Sequence, residues 1–138
     1  MSIWRVQPLG DDPVADYRAA ADDVLAAFAE KGVLEREFAL PELGEMKFPA
    51  PVAIGFHLID YVAHGWDVAK SLGLNYELDP DLAEVALKIA LKVPVGESGL
   101  GPEAAFGPVL PVAPGAGPLE QILGALGRSS NTEGALPL

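Results

Sequence analysis

Three stretches of this chain open on a proline and then repeat apolar residues every three or four positions. Proline lacks an amide proton and has a fixed φ, so it suits the first turn of a helix, where that proton would go unpaired. Two of the three prolines also follow an aspartate: Asp12 precedes Pro13, and Asp79 precedes Pro80. An aspartate there can accept the orphan N–H groups of the helix start. This punctuation predicts a mainly α fold.

The first helix reads DPVADYRAAADDVLAAFAEKG, with Val14, Tyr17, Ala21, Val24 or Leu25, and Phe28 at helical spacing and Gly32 as its stop. A second runs from Pro49 to Gly73, opening near Pro51. The third reads DPDLAEVALKIALKV, with Leu82, Val85, Ile89 and Val93 as its inward stripe, widened by Leu87 and Leu91, and Pro94 as its end. PLEQILGALGR makes a short last helix. Between the first two helices, VLEREFAL reads as a short strand or extended arm, ELG as a turn and EMKF as the returning partner. Two short strands are marginal alone and must lie against helices. PVGESGLGPEAAFGPVLPVAPGAGP is too rich in Gly and Pro for regular structure, and FGPVLPV is expected to lie extended over the bundle.

At 138 residues the chain is expected to form one domain, a helical bundle over residues 13–128. Residues 1–12 form a loose entry and 129–138 a flexible tail. Twenty acidic residues against nine basic ones give a formal charge of −11, with no cluster of Lys or Arg. That balance excludes a phosphate-backbone binder, so no nucleic acid is expected as a partner. There is no cysteine, hence no disulfide and no thiolate ligand. MSIWRVQPLGDD carries no apolar run of signal-peptide length, and no stretch approaches the roughly 18 apolar residues of a membrane span. No membrane partner is expected, and the expected location is cytoplasmic.

The chemistry concentrates in FHLIDYVAHGWDVAKSLG, which holds both histidines. At 100° per residue, His57, Asp60, His64 and Asp67 share one helical stripe roughly 80° wide. Leu58, Ile59, Val62 and Trp66 lie opposite. Side chains four apart point to one spot, so Asp60 and His64 could share a cation, as paired ligands do in helical zinc motifs. His57 and His64 stand two turns apart, roughly 10.5 Å along the axis, so His57 is the weaker ligand and could instead orient Asp60. A third ligand would come from another helix; Asp16, Asp22 and Asp23 are candidates, and nothing singles one out. The spacing leaves three readings open: a metal site, a buried polar network, or a solvated face. Gly99, Gly101 and Gly107 form no phosphate loop, since no Lys-Ser or Lys-Thr follows.

IDYVAHGWDVAKSLG resembles the D-x-x-x-H-G-W-D-x-A-x-x-x-G segment of metal-binding proteins in the mycothiol-dependent maleylpyruvate isomerase group, within the DinB-like bundle superfamily. DPVADYRAAADDVLAAF, DPDLAEVALKIA, AAFGPVLPV and LEQILGALGR resemble its flanking segments, so the likeness covers roughly residues 11–128. The resemblance implies an antiparallel DinB-like helical bundle holding a divalent metal, with zinc favoured over nickel or iron. Asp60 and His64 would be metal ligands, Asp67 an outer supporting group, and His57 a third ligand, orienter or general base in catalysis. Some relatives use such a metal on a small-molecule thiol such as mycothiol, for isomerisation or thiol transfer, and the lack of cysteine is compatible with a thiol cosubstrate. Family members begin with two further helices, the second carrying a ligating histidine. MSIWRVQPLG has no histidine and is too short to replace them. An N-terminally shortened bundle exposes apolar stripes, which implies a homodimer or a partner supplying the missing helices. The alternative is a non-catalytic dimeric bundle binding a small apolar ligand or a partner protein.

Overall fold

The computed structural model describes residues 8, 10–40, 45–93 and 106–130. Most of the entry segment, the ELG turn, the first part of the Gly/Pro-rich stretch and the tail from residue 131 lie outside them. The described chain is mainly helical: α1 (Pro13–Phe28), a 3-10 turn (Val33–Glu35), β1 (Glu37–Ala39), β2 (Lys47–Pro49), α2 (Ala50–Ser71), α3 (Pro80–Ala90) and α4 (Pro118–Ala125). It divides after Ile54 into two compact units, and α2 begins in the first and continues through the second.

In the first unit, α1 starts as its punctuation requires. Asp12 accepts from the amides of Val14 and Ala15 at 3.1 and 3.0 Å. Its apolar stripe does not become core, however. No residue of α1 is buried, and Tyr17 and Leu25 are 64% and 67% exposed. Periodicity selects a face, but only a neighbour buries it. The expected strand from Val33 also starts later. Gly32 takes a left-handed φ of 76°, which turns Val33–Glu35 into a 3-10 helix with Val33 buried. The strand proper is Glu37–Ala39, paired antiparallel with Lys47–Pro49, with Phe38 opposite Phe48. Phe38 also stacks on Phe28, ring centroids 6.5 Å apart.

The second unit holds the larger core. Ile59, Val62 and Ala63 of α2, Ala86 and Ala90 of α3, and Ile122, Ala125 and Leu126 at α4 form one buried cluster. Leu58, Leu87, Ile89, Phe106 and Leu119 pack around it. The α2 stripe expected to be apolar is therefore the buried one. On α3 the expectation holds in part: Leu87, Ile89 and Val93 pack against the core, but they do not form its buried face. Ala83, Ala86 and Ala90 face inward, whereas Leu82, Val85 and Leu91 are exposed. Small residues let two helix backbones approach closely, so the alanine face seats the helix and the bulkier residues are left at its sides.

The helix ends aim the chain. Asp79 caps α3 by accepting from Asp81 and Leu82. Gly117 begins α4 with its amide donated to the Glu120 carboxylate at 3.1 Å. FGPVLPV forms neither helix nor strand, and the Leu110 amide donates to the Gly124 carbonyl at 2.8 Å. α4 ends in a left-handed Gly127 (φ 75°), after which the Arg128 amide returns to the Leu123 carbonyl at 2.8 Å. That is the 6→1 bond of a Schellman motif.

Candidate functional site

The stripe on α2 brings Asp60, His64 and Asp67 together. His64 Nε2 lies 3.2 Å from Asp60 Oδ1, one turn before it. His64 Nδ1 lies 3.2 Å from Asp67 Oδ2, one turn after it. The helix spacing alone makes both contacts, since residues three and four apart are surface neighbours. The imidazole is thus flanked at both ring nitrogens by carboxylates, with hydrogen-bond geometry at the Asp67 side. Its side chain and that of Asp60 are about half exposed, at 54% and 55%. His57 lies two turns from His64 on the same stripe, half buried, with its ring against Tyr61 at 4.5 Å. Gly65, inside the HGWD segment, makes room for Tyr76: a Cβ there would meet the tyrosine hydroxyl at 3.1 Å. Burial raises the pKa of the Tyr76 phenol.

Spacing did not reveal the fourth member of this row. Arg128 reaches Asp67 across 61 residues of sequence. Its Nε donates to Asp67 Oδ1 at 2.9 Å and its Nη2 donates to Oδ2 at 2.7 Å, a forked pair. Nη1 donates to the Leu126 carbonyl, and the guanidinium sits over the Phe106 ring at 5.6 Å. The arginine side chain is only 15% exposed. Arg128, expected only as the last residue of the bundle before the tail, is an anchored residue. One signal was available: Arg128 is the single basic residue after Lys92, in a chain whose second helix carries an acidic stripe.

Hydrogen bonding from Arg128 holds the Asp67 carboxyl below its ordinary value of 3.8, with its charge and the His64 contact acting in the same direction and burial opposing them. A carboxylate whose folded pKa is depressed stabilises the fold fully above its unfolded pKa and loses that contribution as pH falls through the folded one. The stability difference between wild type and Arg128→Met should therefore widen as pH rises from about 3 to about 5. Urea titrations at fixed pH steps read it. Asp67 is 37% exposed, so solvent screening keeps the effect modest.

The row offers a cation two donors on one side. Two ligands about 2.0–2.2 Å from a tetrahedral ion stand about 3.3 Å or slightly more apart. Nε2 of His64 and Oδ1 of Asp60 already stand at 3.2 Å. A ligating histidine characteristically gives its other ring N–H to a carboxylate, the place Asp67 occupies. Among the described residues no three His, Cys, Asp or Glu side chains form a metal cage, so those residues offer two donors there.

Fold and site define a mainly helical protein whose second helix displays a carboxylate–imidazole–carboxylate row clamped by a distant arginine. The chain belongs to the family of two Mycobacterium tuberculosis proteins. It is 34% identical over 131 residues to the "Uncharacterized protein Rv0738" of strain H37Rv, a match covering 91% of this chain and 70% of that protein. It is similar to the same extent to the "Uncharacterized protein MT0763" of strain Oshkosh. No family model matches the chain, and no solved structure matches it.

Proposed function

We propose that this chain is a divalent-metal-binding protein of the DinB-like kind, related to the thiol-dependent isomerases and transferases, and that Asp60 and His64 hold the ion. The observation that carries this reading is the 3.2 Å separation of Nε2 and Oδ1, combined with an Asp67 oxygen 3.2 Å from the opposite ring nitrogen. Zinc fits an imidazole and a carboxylate, and nickel or iron would accept the same donors. When bound, the ion supplies Lewis acidity toward a small-molecule thiol such as mycothiol. The chain's own residues bind and orient. Asp60 and Nε2 of His64 face the ion, Asp67 fixes the ring, and His57 on the same stripe is the group that would carry a proton. The acidic charge and scattered basic residues support a small-molecule substrate and no nucleic acid. Among the described residues no helix is long and apolar enough to cross a membrane, which is in keeping with a cytoplasmic site of action.

The test is zinc titration of the purified full chain by calorimetry, with Asp60→Ala and His64→Ala beside it. Wild type should bind stoichiometric zinc. Each variant should lose at least about 100-fold in affinity, beyond the usual effect of an outer-shell change. A second reading, a non-catalytic dimer or partner-binding bundle, is favoured by the exposed apolar residues of α1, Val14, Tyr17 and Leu25. Wild type that binds no zinc but sediments as a dimer would favour it over the metal reading.

A further inference from the structure

We propose that Arg128 is a positioning residue for His64, acting through Asp67. His64 stands between two carboxylates at equal distances of 3.2 Å, but only the Nδ1 contact with Asp67 has hydrogen-bond geometry, so the ring proton belongs on Nδ1 as long as Asp67 stays in place. The two acceptors differ in how they are held. Asp60 is on an exposed turn of α2, and its contact with His64 Nε2 is a close ion-pair distance rather than a hydrogen bond. Asp67 receives the Arg128 fork on both oxygens, and the same Oδ2 that accepts from Nη2 faces His64 Nδ1. An acceptor already fixed in place orders the imidazole at less entropic cost than one that must be ordered with it. Arg128, by holding Asp67 in place, therefore secures the Nδ1–H form and leaves the Nε2 lone pair toward Asp60.

The arginine is itself held in place. Gly127 in its left-handed conformation turns the chain at the end of α4, and the Arg128 amide is tied to Leu123. Phe106 lies under the guanidinium, and the Leu126 carbonyl takes Nη1. The relay runs from the end of α4 through Asp67 to the imidazole. Its meaning for ion binding rests on the reading proposed above; its effect on the ring proton does not.

The experiment measures both, on the full chain. Long-range proton–nitrogen correlation spectra of the metal-free protein at about pH 9, where an imidazole is neutral, report which His64 nitrogen is protonated. Zinc affinity is read by competition with a chromophoric chelator. Wild type should show Nδ1–H. Arg128→Met should move the proton toward Nε2, which then donates to Asp60, and weaken zinc by about 10–100-fold. Arg128→Lys keeps the charge without the fork and should change both in the same direction by less. It carries the test should the methionine variant unfold. An arginine that merely holds α4 would lower the melting temperature and leave the ring proton in place. An unchanged tautomer and unchanged zinc affinity in both variants would overturn the relay even if zinc binds. A moved proton in a protein that binds no zinc would uphold the relay and sink the metal reading.

Discussion

Gly127→Ala should destabilise the chain by about 2–5 kcal/mol, through two separable costs. The first is conformational: an L-residue at φ 75° costs roughly 1–2 kcal/mol against glycine. The second is steric. A Cβ on Gly127 would stand 2.5 Å from Gly107 Cα and 2.6 Å from its carbonyl carbon. Those are backbone atoms, with no rotamer to swing aside, so the 106–107 segment or the end of α4 must shift. Overpacking of that kind typically adds about 1–3 kcal/mol. Gly115 provides the control. Its φ is 81°, but a Cβ there meets nothing within 4 Å. Gly115→Ala should therefore cost only the conformational part, about 1–2 kcal/mol. Urea midpoints of the two variants measure the difference. Equal losses would mean that the Gly107–Gly127 approach is not tight in solution. The same substitution should also disturb the seat of Arg128, so its pH dependence should shrink toward that of Arg128→Met.

Ile122→Ala should cost about 2–5 kcal/mol, the range for removing a buried aliphatic side chain whose cavity only partly collapses. Ile122 is fully buried, in the cluster where α2, α3 and α4 meet. Leu82→Ala removes as much hydrocarbon from α3 but from a side chain 39% exposed. It should cost clearly less, about 1 kcal/mol or under. Denaturation curves of the two variants decide which face of α3 is inward. If Leu82→Ala proved as damaging as Ile122→Ala, the alanine face would not be the packed one.

That comparison also separates what is legible in a sequence from what is not. Asp12-Pro13 and Asp79-Pro80 announce their helices because capping is local: donor, acceptor and fixed φ lie within four residues. The α2 core stripe is legible because Ile59 and Val62 stand directly opposite the polar row. α3 misleads because hydrophobicity ranks Leu82 and Val85 above Ala83 and Ala86, whereas burial depends on how near α4 can come. α1 misleads in the other direction. Its stripe is real, but among the described residues none of it is fully buried. At the site, Asp60, His64 and Asp67 could be placed together from spacing alone, and Arg128 could not. Its partner lies 61 residues away, and chain geometry carries no information over that distance.

The linear chain was thus enough to settle the helical class, the helix starts and the alignment of one imidazole with two carboxylates, because each depends on interactions spanning a turn or less. Tertiary structure alone decided which apolar residues of α3 are buried and which cation reaches Asp67. Both depend on how closely two distant backbones approach, and that distance is set by small residues, the alanines of α3 and the Gly107–Gly127 contact, acting together.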